Sequence, residues 1–417
     1  MVAIYPFRAL RPAREESAYV PSVPYDVVTR EEAAAVIARN RKSFLRVIRS
    51  DAELMHLSPY ADEVYDRARA VFSEMQDQGL FARDDSESFS IYQVEHQGLV
   101  YTGLVACIGT EEYLKKTVKR HELTRYDKEE DRTRHIDSVN ANTGQVFLLY
   151  RDPGGISGFI RSLATGDPVA ETEAENGSVH RIYAVNDPDA IQQIRGHFSD
   201  INALYIADGH HRAKSAVNVY LKRKEHGVLT TGASRFMGVL FAHDSVTIHG
   251  YSRLLRSLNG MTPDAFLAAL EAQFRVKKSS SVDTSKTDIP VAGGRAERHV
   301  FHLYIEGAFY ELSRDIDPGA DPIARLDVSL LQESVLSPLL EIHDPRGDER
   351  LDFMGGAQPI ADLVAAVDSG EYAAAILMQP IEILDICDIA DDDKIMPPKS
   401  TWFEPKLLSG LVIHPLD

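Results

Sequence analysis

The chain has 417 residues, 44% hydrophobic and 26% charged, with a formal net charge of −18. That length fits two or three domains with ordinary cores, and the composition excludes a disordered or fibrous chain. The negative balance argues against broad nucleic-acid binding, which relies on Lys and Arg to neutralise phosphates, so no nucleic-acid partner is expected.

The opening "MVAIYPFRALRPA" lacks a signal-like apolar run, and no stretch reaches membrane-spanning length without charges. Cys107 and Cys387 sit in apolar surroundings and read as buried thiols, with no CxxC spacing for a metal. The expectation is a soluble, cytoplasmic protein with no membrane partner.

In chain order, "VPSVPYDVVTREEAAAVIARN" predicts a Pro-rich loop entering a helix, with Thr29 and Glu32 at capping-box spacing. A second amphipathic helix is predicted over Ser58 to Gln78, stopped by Gly79. "FSIYQVEHQGLVYTGLVACIG" alternates as two strands around a Gln97–Gly98 turn. A polar loop, a charged helix and an apolar strand follow in "VKRHELTRYDKEEDRTRHIDSVNANTGQVFLLY". Ala164 to Val179 is acidic and aperiodic and reads as an exposed loop.

"DPDAIQQIRGHF" predicts a short helix and "ALYIADG" the end of a buried strand. In "HRAKSAVNVYLKRKEHG" a helix places Ala213, Ala216, Val217, Tyr220 and Leu221 on one face, and Gly227 ends it. "SRFMGVLFAHD" returns as a strand, and "VFHLYIEGAFYELS" is a hairpin turning at Glu306–Gly307. The class is mixed α and β. The domain reading takes residues 1–275 as an N-terminal and central α/β region and 276–297 as a linker or long loop. Residues 298–417 then form a C-terminal α/β region.

The run "IADGHHRAKSA" puts an acid, a glycine, two histidines and an arginine where an apolar strand turns into a helix. A helix N-terminus offers free N–H groups and the positive end of its dipole to an anion. Gly209 allows close backbone approach, His210 and His211 can donate hydrogen bonds, and Arg212 supplies a bidentate fork for phosphate oxygens. Asp208 is a hard oxygen ligand of the kind Mg²⁺ accepts beside phosphates. A lone Asp before a helix is ordinarily a cap, but the four polar groups that follow tip the reading toward a site. Adjacent histidines diverge on a helix, which weakens a zinc reading.

"DGHHR" opening a helix resembles the phosphate-binding signature of the ParB/sulfiredoxin-like superfamily, in the version of free serine kinases. Those enzymes phosphorylate the hydroxyl of L-serine from a nucleotide. Over nearly the whole chain, "YPFRALRP", "VPYDVV", "KRHELTRYDKEEDRTRHIDSVNANTGQVFLLY", "ADGHHRAKSA" and "MPPKSTWFEPKLLSGL" resemble, in order, a prokaryotic family labelled a domain of unknown function. The resemblance implies a ParB-like phosphate-binding core with additional α/β regions.

Phosphoryl transfer to an alcohol needs positioning, charge neutralisation and a carboxylate for the hydroxyl proton. Glu122 or Asp26 could be that base, with Glu122 preferred, Asp208 and His210 as its catalytic partners and His121 beside the substrate. Arg132 and Lys399 are candidate phosphate or carboxylate contacts, and Ser400 and Thr401 add hydroxyl donors in the stiff "MPPKST" loop. "GGISG" at Gly154 lacks dinucleotide spacing, "ADDDK" near Asp391 reads as a solvated charge run, and His249 as a structural histidine. The expected activity is ATP-dependent, Mg²⁺-assisted phosphorylation of free L-serine. The rivals are a nucleotide-sensing ParB-like regulator and a phosphoester hydrolase.

Overall fold

Thr29 caps the helix Arg30–Arg39 with both bonds of a capping box: its side chain accepts from the Glu32 N–H, and Glu32 reaches back to the Thr29 N–H. This helix belongs to a computed structural model that describes residues 2–279, 281–289, 298–345, 347–355 and 357–417. The chain divides into two units, Met1–Val246 with Pro405–Asp417, and Thr247–Glu404.

The first unit is built on a nine-stranded mixed sheet. Eight strands run in the order Val118–Lys119, Leu204–Asp208, Val146–Tyr150, Arg235–Ala242, Leu99–Gly109, Phe89–His96, Val179–Val185, Ala170–Glu173, and the ninth, Ile4–Tyr5, pairs antiparallel with Leu99–Gly109 off this path. The predicted hairpin is present, since Phe89–His96 and Leu99–Gly109 pair antiparallel around Gln97 and Gly98, both at positive φ. Arg235–Ala242 lies parallel to Val146–Tyr150, a pairing that buries strands on both faces. The resulting core joins Ile91, Leu104, Leu148, Ile206 and Leu240 to Ala213, Ala216 and Val219 of the helix His210–Glu225.

A second cluster holds the helices Arg30–Arg39 and Asp62–Asp77, where Phe44, Phe72 and Phe81 meet edge to face. The last residues return to this unit: His414–Pro415 pairs with Ala141–Asn142, and Leu411, Val412 and Ile413 are fully buried.

The second unit carries a six-stranded antiparallel sheet in the order Arg275–Lys278, Ala308–Asp315, Arg298–Ile305, Ala374–Met378, Tyr251–Leu255, Leu351–Gly355. The hairpin at Glu306–Gly307 is present, and both turn residues have the positive φ that such a two-residue turn requires. One face packs on the helix Ile360–Asp368 through Leu254, Tyr304, Ala375 and Leu377.

Four expectations are corrected. Residues Ala164 to Val179 are not all loop, because Ala170–Glu173 is an edge strand on Val179–Val185. Its exposed alternate residues, Glu171 and Glu173, hid the period. The helix expected from Ser58 begins at Asp62. Leu221 is 43% exposed and stands off the packed face of its helix. The boundary drawn at residues 275 and 298 falls inside the second unit, because Arg275–Lys278 pairs with Ala308–Asp315. Of the supposed linker 276–297, residue 280 and residues 290–297 lie outside the described residues.

Candidate active site

The strand Leu204–Asp208 runs antiparallel to Val146–Tyr150 and loses register between Ile206 and Asp208, just before the polar run. A bulge at a strand end re-aims the next side chains, here onto the start of a helix. Gly209 follows at φ 92 and ψ 29, a left-handed conformation that costs a glycine little. The helix begins at His210, and its first-turn N–H groups have no carbonyl of their own helix to bond.

Asp208 accepts the Gly209 N–H at 2.8 Å. Burial works against its charge, but Lys406, Arg212, His210 and that N–H outweigh it and hold the carboxyl below its ordinary range. Asp208 is therefore an anion at neutral pH. Arg212 donates from Nη1 to the Gln145 carbonyl at 2.6 Å, and its Nη2 lies 3.3 Å from Asp26 and 3.9 Å from Asp208. Burial opposes the Arg212 charge, yet Asp26 and Asp208 more than restore it, so the guanidinium is held charged and aimed. Gly144 lies against the Arg212 side chain, where a Cβ would stand 3.4 Å from Cδ.

The two histidines diverge, as expected of neighbours on a helix. His211 Nε2 accepts the Arg125 N–H at 3.0 Å, at the entry to the helix Tyr126–Val139. His210 is only 5% exposed, and its ring meets His121 edge-on with centroids 4.7 Å apart. Burial first, then the neighbouring histidines, drives its pKa well below 6.5, so the ring is neutral. Burial lowers His121 to about 4. His210 Nε2 and His121 Nδ1 are buried with no hydrogen-bond partner among the described residues. His210 Nδ1 lies 3.7 Å from the Glu122 carboxylate, which is half exposed.

Arg132 comes to the same place from the helix Tyr126–Val139. It is paired with Asp131 at 2.8 Å and stacked on the Tyr25 ring at 4.2 Å. Tyr65 donates to the other Asp131 oxygen at 2.9 Å. Arg132 and Arg212 both line a small recess, with Tyr25, Asn142, Thr143, Gly144 and Ser409.

The first unit thus brings together Asp26, His121, Glu122, Arg132 and Asp208 to Arg212. Lys399, Ser400 and Thr401 belong to the second unit, where the Ser400 hydroxyl donates to the Pro397 carbonyl at 2.6 Å. Sequence reasoning missed Tyr25, Thr143, Gly144 and above all Lys406. All four stand inside the quoted motifs, and only the return of Pro405–Asp417 to the first unit separates Lys406 from Lys399.

Fold and site define a mixed α/β protein with an anion-ready helix start, a charged arginine fork and a neutral buried histidine. The chain belongs to the family described as "Protein of unknown function (DUF1015)", matched over residues 4–329. No curated protein matches the sequence. Among solved structures it is similar to a conserved hypothetical protein from Pyrococcus furiosus, at 14% identity, 72% of this chain, 90% of that chain and a TM-score of 0.33. It is similar to a free serine kinase in complex with AMP at 13% identity, 72% and 86% coverage and a TM-score of 0.34. The corresponding values for SbnI with C-terminal truncation from Staphylococcus aureus are 9%, 73%, 85% and 0.35. No helix among the described residues is long and apolar enough to cross a membrane.

Proposed function

We propose that the chain is a phosphotransferase that moves a phosphoryl group from a nucleotide, in the favoured form ATP, to the hydroxyl of free L-serine. The observation that carries this reading is the buried, unpartnered His210 Nε2 at a helix start already built for an anion. Leaving such an atom unsatisfied is costly, and a bound oxyanion relieves the cost. The motif resemblance supplies the acceptor, L-serine, and supports a ParB-like core with its nucleotide partner.

In this reading the donor phosphates lie on the first-turn N–H groups and the Arg212 fork, with Arg132 facing the same recess. His210, neutral, donates from Nε2 to an oxygen of the transferring group. The acceptor hydroxyl oxygen attacks the γ-phosphorus, its proton passes to Glu122, and the bond to the β-phosphate oxygen breaks to release ADP. Asp208, ionised and beside the proposed phosphates, would be the protein's one carboxylate on Mg²⁺, the remaining ligands coming from phosphate oxygens and water, and among the described residues no group of three His, Cys, Asp or Glu could hold a metal alone. When bound, that ion would neutralise charge on the donor phosphates. The buried thiols of Cys107 and Cys387 support placing the enzyme in the reducing cytoplasm.

The test is a matrix of phosphate donors against amino-acid and small-alcohol acceptors, with products read by mass spectrometry. O-phosphoserine is the expected product. Release of inorganic phosphate with no phosphorylated acceptor would replace this reading with the hydrolase. Tight duplex-DNA binding stimulated by nucleotide, with no product, would replace it with the regulator.

A further inference from the structure

Arg253 lies on the strand Tyr251–Leu255 of the second unit and is only 4% exposed. Its Nη1 donates to the Tyr251 carbonyl, its Nη2 to the Lys399 carbonyl at 3.2 Å, and its Nε has no partner among the described residues. The Phe353 ring lies 5.2 Å from the guanidinium carbon. No carboxylate among the described residues pairs with it. Asp288 is engaged with His249 at 3.2 Å, and Glu404 accepts from Trp402 Nε1 at 2.8 Å. Burial lowers the Arg253 pKa to about 10, which still leaves a full charge at neutral pH.

A buried charge is ordinarily paired, because removing it from water is expensive. Here another basic residue, Lys399, meets it through its backbone carbonyl instead. Lys399 holds its backbone at φ 56, a conformation a lysine adopts only when its surroundings impose it, and its ammonium sits 5.1 Å from the Tyr251 ring. Tyr251 and Arg253, two apart on the strand, share a sheet face. Trp402 covers that face: its ring packs on Gly355, where a Cβ would come within 2.5 Å, and meets the Tyr251 ring edge-on at 5.4 Å. Lys399 is exposed, Tyr251 and Trp402 are half-buried and Arg253 is buried.

We propose that the second unit holds a site for a small oxyanion, a carboxylate or a phosphate, bound by Arg253 and Lys399 on the aromatic floor of Tyr251 and Trp402. The unpartnered Nε supplies an inward donor, and the ammonium neutralises charge at the mouth. The site does not depend on the kinase reading.

Trp402 is the single tryptophan of the chain and stands in this cluster against the Tyr251 ring. The full-length protein is titrated with inorganic phosphate and, separately, with acetate at constant ionic strength, following its fluorescence. A saturable change with either ion is expected, and which ion saturates distinguishes a phosphoryl from a carboxylate ligand. Lys399→Ala, an exposed change that spares the fold, should weaken that binding tenfold or more, whereas Arg212→Ala in the first unit should leave it unchanged. Non-saturating responses to both ions, unaltered affinity in Lys399→Ala, or loss of the signal in Arg212→Ala would each overturn the proposal. Phosphate or acetate binding without any phosphoserine formation would leave this site standing and remove the kinase reading.

Discussion

Arg212 is held before any ligand arrives, by the Gln145 carbonyl on one side and Asp26 on the other. A preset fork loses little freedom on binding, so its removal should cost about 1.5–3 kcal/mol of nucleotide affinity, the range for hydrogen bonds to charged groups. Calorimetry on folded Arg212→Ala checks this, and unchanged affinity would take the residue out of the site. Gly209→Ala should also be harmful, since φ 92 strains any residue with a Cβ. A loss of about 1–3 kcal/mol in stability is expected from the backbone alone, read by denaturant unfolding. The strand end and helix start at Asp208 to Arg212 were legible because five consecutive residues carry the signal. Tyr25, Gly144 and Lys406 were not, because each acts through a neighbour far away in sequence. Lys399 and Lys406, seven residues apart in one motif, belong to different units, and spacing along a loop does not say to which unit each end belongs.

At the level of elements, local rules served where the local signal was strong. The capping box at Thr29 and the turn at Glu306–Gly307 carry their own backbone chemistry and were read correctly. The edge strand Ala170–Glu173 did not, because four residues with two exposed acids look like any polar loop until a partner strand is known. Leu221 failed for a related reason, as helical period alone does not reveal how wide the covered face is. The segment Pro405–Asp417 deserves a test of its own. It supplies Lys406 to the field at Asp208 and buries Leu411, Val412 and Ile413 in the first unit. A chain ending at Glu404 should lose cooperative folding of the first unit, whereas Lys406→Ala should fold normally and raise the Asp208 pKa. Circular dichroism separates the two, and a truncated chain that melts like the full one would refute the structural role.

Over the whole molecule, several buried histidines set the response to acid. His121, His135 and His414 are held at about 4, below the ordinary 6.5, chiefly by burial. An unfolded chain takes up protons there while the folded chain does not. Stability present above pH 6.5 is therefore lost progressively as pH falls toward 4, by up to about 3 kcal/mol per group. Thermal melts should drop steadily over that window, and a flat melting temperature would contradict the buried, neutral assignment. The same neutrality underlies the chemistry proposed at His210, beside Glu122. The division into units was not legible because the first unit is discontinuous, closed by residues 405–417 after the second has been traversed. The most direct test of the central claim compares O-phosphoserine formation by the wild type and by Glu122→Gln, with nucleotide affinity measured in parallel. Loss of a general base should slow turnover about 10²–10⁴-fold while leaving nucleotide affinity unchanged. Near-full turnover in Glu122→Gln, or no phosphoserine from the wild type, would contradict the account.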